Sequence, residues 1–135
     1  MHKRTTLDTP LFHRIYALYK LIYLLSSSIP KAKRYTLWLK VEEATLSIIT
    51  GIIQAGHCRG KQQYDILLQI SASLDLLKVL IRLCKEIRCI DMRRYLELEK
   101  HLQEAGKMQG GWIKFASPHS IARFTSGRQG LKFMH

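Results

Sequence analysis

Residues 67–87 read LLQISASLDLLKVLIRLCKEI, and their apolar positions decide the fold. Leu67, Ile70, Leu74, Leu77, Ile81 and Cys84 recur in steps of three and four, the period that places side chains on one face of a helix. The sustained two-residue alternation of a half-buried strand is found nowhere in the chain. A long helix with a single apolar seam has to bury it, and other helices are the only partners available. Lys78, Arg82 and Lys85 follow at the same spacing beside the seam, with Arg88 one turn on, so the same helix predicts a basic stripe. Glu86 is the only acid between residues 76 and 90, which favours phosphate contact over a merely solvated face.

Three further segments repeat the pattern. The first helix is expected over about 9–27, with Thr9 as N-cap and Pro10 in the first helical position. Its seam is Leu11, Ile15, Leu18, Ile22 and Leu25, beside a second stripe of Phe12, Tyr16, Tyr19 and Tyr23 wide enough to touch two neighbours. Pro30 ends it by pushing Ile29 out of helical geometry. The second helix, about 35–55, buries Leu37, Val41, Ala44, Ile48 and Ile52 with Leu46, Ile49 and Ile53 at the flanks, and GHCRGK (56–61) closes it. The third covers about 63–87. The fourth, about 91–113, starts on Asp91 and runs through Tyr95, Leu98, Leu102 and Ala105 towards Trp112. Short loops between long helices predict an all-α chain, an antiparallel up-down-up-down four-helix bundle over 1–115.

Near its end the fourth helix meets Gly110 and Gly111. Each Gly inside a helix costs about 1 kcal/mol relative to Ala. Two of them are more than a cap needs, so the helix is expected to continue, with the missing side chains admitting a neighbouring helix and Trp112 closing the bundle. Beyond residue 115 the periodicity fails. Residues 116–135 read as a flexible basic tail or as a segment that orders on a partner, with Phe115, Phe124 and Phe133 as anchors.

The chain's 135 residues suit one domain, and 22 Lys and Arg against 10 Asp and Glu give a formal charge of +12. Only Arg123, Arg128 and Lys132 of these cations lie beyond residue 114, so the folded body is itself basic. That balance points to a polyanion, nucleic acid before an anionic membrane surface. PKAKR (30–34) adds Lys31, Lys33 and Arg34 at one loop, and DMRRY (91–95) adds Arg93 and Arg94 at another. The first and third loops of an antiparallel bundle share an end, so a joint patch of the two clusters is geometrically allowed. A basic amphipathic protein that lies on a membrane or grips a partner helix is the second reading. No apolar run approaches the roughly 20 residues of a membrane span.

Little supports catalysis. Cys58, Cys84 and Cys89 are odd in number and lack CxxC spacing, which predicts reduced thiols in a cytosolic protein. Glu97, His101 and Glu104 share a face, but a carboxylate-bridged metal bundle needs Glu-x-x-His on two helices. Neither a metal nor another cofactor is expected. His57 beside Cys58 has no placed acid or oxyanion element.

Three stretches carry a family resemblance: SIPKAKRYTLWLKVEEATLSIITGIIQA (28–55), LDLLKVLIRLCKEI (74–87) and LEKHLQEAGKMQGGWIK (98–114). In order and spacing they resemble the accessory variability determinant family, the four-helix-bundle accessory proteins of diversity-generating retroelements. The most specific piece is Gly110, Gly111, Trp112 and Ile113 at the end of the fourth helix. Bundle proteins of ribosomal-RNA intervening sequences share the Pro-Lys-x-x-basic-Tyr start of the second helix. Their Asn-Ile-Ala-Glu-Gly-like continuation is missing from GIIQAGHCRG (51–60).

The resemblance implies a non-enzymatic, homopentameric barrel of bundles. It further implies a cytoplasmic protein of bacteria, archaea or phage that binds the reverse transcriptase, template RNA and cDNA or DNA in mutagenic copying. The family's basic residues on the third helix match Lys78 and Arg82. Where many relatives have Gly after Tyr-Thr-Leu, this chain has Trp38, which is expected to alter local packing or a subunit contact.

Overall fold

Thr9 opens the first helix: its hydroxyl accepts the Phe12 N–H at 3.2 Å, and Pro10 follows at N1. The computed structural model describes residues 9–117, and no strand occurs among them. Helix α1 spans Pro10–Leu25 and passes into a 3-10 turn, Ser26–Ser28. Helix α2 is a single turn, Lys31–Arg34. The long helices α3 (Leu37–Gly56), α4 (Gly60–Glu86) and α5 (Met92–Ala116) complete the chain. Packing runs α1 on α3, α3 on α4, α4 on α5 and α5 back on α1, so the four long helices enclose one core.

The seams of α1 and α4 are buried as the periodicity requires, from Leu11 to Leu25 and from Leu67 to Cys84. Helix α3 differs. It buries Trp38, Val41, Ala44, Thr45, Ile48, Ile52 and Ala55, while Leu37 is half-buried and Leu46 and Ile53 face out. Thr45 can be buried because its hydroxyl donates to the Val41 carbonyl at 2.8 Å, leaving its methyl to the core. On α5 the interior holds Leu98, Leu102, Ala105 and also Gln109, 2% exposed, whose amide donates to the Leu67 carbonyl at 2.7 Å.

Helix α3 starts at Leu37, not at residue 35. Pro30, with φ −52°, begins a separate turn, and the chain leaves helical geometry at Thr36, with φ −119° and ψ −90°. At the other end, Gly60 (φ +59°) belongs to α4 as its first residue instead of closing α3. Helix α4 ends in paired bonds: Arg88 N–H to Lys85 O at 3.0 Å and Cys89 N–H to Cys84 O at 2.8 Å. This closure requires a left-handed residue, and Arg88 supplies it with φ 63°. Burial, reinforced by Cys89, pushes the Cys84 thiol up to about 12, which makes it a packing residue and not a nucleophile.

Helix α5 runs through Gly110 and Gly111, as expected, and continues past the expected end at 113 to Ala116, but the reason expected for the glycines is overturned. A Cβ at either position would meet no described atom within 4 Å. The close approach is instead at Gly51, where a Cβ would lie 2.7 Å from Ile70 Cγ1 across the α3–α4 contact. Gly51→Val is therefore expected to lower stability by about 1–3 kcal/mol through overpacking. Gly110→Ala and Gly111→Ala should each raise it by up to about 1 kcal/mol. Urea midpoints of the three variants read the contrast, and a stabilised Gly51→Val would contradict it. Trp112 and Ile113 are half-buried against the core. Of the expected tail, all but Ala116 and Ser117 lies outside the described residues, as do Phe124 and Phe133, and Phe115 is exposed.

Candidate nucleic-acid interface

The segment between α1 and α3 is held against the turn between α4 and α5. Lys33 Nζ donates to the Ile87 carbonyl at 3.4 Å, so the PKAKR segment reaches the turn that carries Arg88 and leads into DMRRY. Arg93 and Arg94, in the first turn of α5, line an open groove of about 710 Å³ with Leu21, Leu24 and Leu25 of α1 and Leu96 and Glu97 of α5. Asp91 sets their position by capping α5, its carboxylate accepting the Arg94 N–H at 2.8 Å. Lys31, Arg88 and Arg93 are exposed, Lys33 and Arg94 half-exposed. None of these five joins an ion pair among the described residues.

Arg34 has a different use. Its Nη2 donates to the carbonyls of Ser27 at 3.2 Å and Ile29 at 3.0 Å, and its Nε is buried without a partner among the described residues. The guanidinium ties the 3-10 turn to α2, which makes Arg34 a positioning residue at this end of the molecule.

The α4 stripe leans towards α5. Lys85 Nζ sits 4.5 Å from the centre of the Tyr95 ring, and Lys78 Nζ lies where a Cβ on Gly106 would be 3.6 Å away. Arg82 pairs with Glu86 at 3.5 Å, both ends largely exposed, so the stripe is partly neutralised after all. The Tyr95 hydroxyl donates to Glu99 at 2.9 Å, and that bond holds the phenol above its ordinary range. Tyr95 and Glu99 are therefore part of this surface, a role that their place beside Arg93 and Arg94 in sequence did not disclose.

The carboxylate and histidine face of α5 is engaged elsewhere. Arg14 Nη1 lies 3.3 Å from His101 Nδ1, and burial followed by the Arg14 charge holds the imidazole below its usual range. A neutral ring accepting from a guanidinium is poorly disposed to bind a cation as well. Among the described residues no group of three or more His, Cys, Asp or Glu is placed to hold a metal ion. None of the helices there is long and apolar enough to cross a membrane.

Fold and surface together define an all-α bundle protein with cations gathered where the α1–α3 segment meets the α4–α5 turn. A family model described as bAvd-like matches residues 11–116, and the chain belongs to that family. This is the family that the three quoted stretches together resemble, the Gly110–Ile113 piece most specifically. No curated protein matches the chain.

Proposed function

We propose that this protein is a non-enzymatic, nucleic-acid-binding accessory subunit of a diversity-generating retroelement, acting in the cytoplasm with the reverse transcriptase and its template RNA and cDNA or DNA. The family match supports the retroelement role; for nucleic acid the carrying observation is Lys33 reaching the turn of Arg88 just before Arg93 and Arg94, cations in no ion pair among the described residues, in a chain of formal charge +12. Such a surface neutralises phosphates and releases their counterions, giving strong binding with little sequence preference. The α4 stripe of Lys78, Arg82 and Lys85 extends it towards α5 and serves either nucleic acid or the polymerase.

The bundle domain of this reading is 1–115, antiparallel and up-down-up-down. Gln109 late in α5 bonding Leu67 early in α4, and Trp38 early in α3 bonding Ile22 late in α1, support that arrangement. Self-association as a homopentamer is supported by a second apolar seam on the outside of α4. Leu76, Val79, Leu83 and Ile87 are exposed there, and Leu76 and Leu80 border an open hollow of about 310 Å³ with Lys40, Glu43 and Ala44 of α3.

Lys31→Glu, Arg88→Glu and Arg93→Glu combined should weaken RNA binding at all sequences. The log–log salt slope should fall by about 0.7 for each single-strand phosphate contact removed. Lys78→Glu with Arg82→Glu should weaken RNA binding or reverse-transcriptase capture without loss of helix. Unchanged affinity and slope in the triple variant would refute the assignment of this surface.

A further inference from the structure

We infer that the Tyr35 ring is a stacking platform for an unpaired base, so that this surface takes single-stranded nucleic acid in preference to duplex. The inference rests on the proposed nucleic-acid function and adds to it the form of the ligand. Tyr35 is 65% exposed, and its side chain makes no hydrogen bond or ring contact among the described residues. The other exposed tyrosines are differently placed. Tyr16 stacks on Phe12, with ring centroids 5.9 Å apart, and Tyr23 lies within α1, one of the long helices. Tyr95, the remaining aromatic of the basic surface, has one face covered by Lys85 and its hydroxyl committed to Glu99.

Tyr35 stands at the C-terminal end of α2, directly after Lys31, Lys33 and Arg34, off the faces of the long helices. Its backbone is fixed from several sides. The Tyr35 N–H meets the Lys33 carbonyl, the Thr36 hydroxyl donates to Ala32 O at 3.2 Å, Arg34 grips Ser27 and Ile29, and Lys33 reaches Ile87. An aromatic ring exposed on a rigid segment has little conformational freedom left to lose on binding. The flanking cations hold a phosphate backbone alongside the ring, and every base offers it a π-face. In a duplex those faces are covered by neighbouring base pairs, so the ring has no face to stack on. Cations alone do not distinguish the two forms in this way; the ring does.

The test uses the full chain and fluorescence anisotropy with three probes at fixed salt: an unstructured single-stranded RNA, its duplex, and a single strand of equal length with abasic positions. Tyr35→Ala should weaken binding to the single strand by about 5-fold to 100-fold, leave duplex binding and the salt slope unchanged, and keep the far-UV circular dichroism of the wild type. Tyr35→Phe keeps the ring and should bind as the wild type does. The abasic strand should bind wild type and Tyr35→Ala alike. Should Tyr35→Ala bind the single strand normally while the charge-reversed variant fails, the stacking inference falls and the proposed function stands. Equal losses on single strand and duplex would also overturn it, by showing a structural role. A wild-type protein that binds none of the probes removes both readings.

Discussion

Trp38→Ala is expected to lower the free energy of unfolding by about 3–5 kcal/mol, the loss typical of a large aromatic removed from a close-packed interior. Trp38 is fully buried, and its indole N–H donates to the Ile22 carbonyl at 3.2 Å. That carbonyl is one of the last four of α1, which have no partner within the helix, so the indole completes the end of a neighbouring helix while filling the core. Trp38→Phe separates the two contributions. It keeps most of the volume and should cost only the lost bond and the stranded carbonyl, about 1–3 kcal/mol. Urea unfolding followed by far-UV circular dichroism, at one fixed protein concentration because assembly couples to stability, measures both. A loss below about 1 kcal/mol for the alanine variant would contradict the burial. Trp38 is thus accommodated inwards, as part of the core of the single chain.

On the proposed self-association, Leu76→Glu with Leu83→Glu should leave single chains without loss of helix. Both leucines are largely exposed on the isolated chain, at 52% and 40%, so the carboxylates cost the fold little. In an interface each lost leucine forfeits about 1.5–3 kcal/mol of apolar burial, tenfold or more in association, before the cost of desolvating the new charge. Light scattering coupled to gel filtration reads the mass directly. An unchanged multimer would remove the outer seam of α4 from the subunit contact, and a wild-type protein already monomeric would refute self-association itself.

The parts of the fold that were legible in the sequence are those where hydrophobicity and period agree. Leu11 to Leu25 and Leu67 to Cys84 are strict steps of three and four, and the structure buries every one of those side chains. Two of the misses share a cause. Gln109 falls four residues after Ala105, the right step for the seam of α5, yet a polar side chain is invisible to a search for apolar ones. Its Oε1 is buried without a partner among the described residues, so nothing local marks the position. Thr45 escapes notice for the same reason, its hydroxyl being satisfied within its own helix.

The glycines show the converse error. Gly110 and Gly111 draw the eye because they are adjacent, whereas Gly51, lying in an ordinary apolar run, is the one pressed against Ile70. Which helix comes closest depends on crossing geometry that one chain segment does not encode. At the basic surface, helix count and loop length allow the first and third loops to share an end, and Lys33 does reach the turn after α4. The separation of Arg34 from its neighbours was not legible, because Lys31, Lys33 and Arg34 are alike in sequence and differ only in which carbonyls lie within reach.

Arg88 joins the fold to the surface it supports. Helices that close on a left-handed residue usually place glycine there, because any Cβ is crowded, at a cost of about 1 kcal/mol. This chain retains a long cationic side chain on that backbone, with φ 63°, at the tip of the turn that Lys33 reaches. Durability and recognition therefore pull in opposite directions at a single residue. Selection for a hardier protein would favour glycine at 88, and selection for a grip on polyanions would keep the guanidinium. The turn between α4 and α5 is the place where variation among relatives would reveal which demand has weighed more.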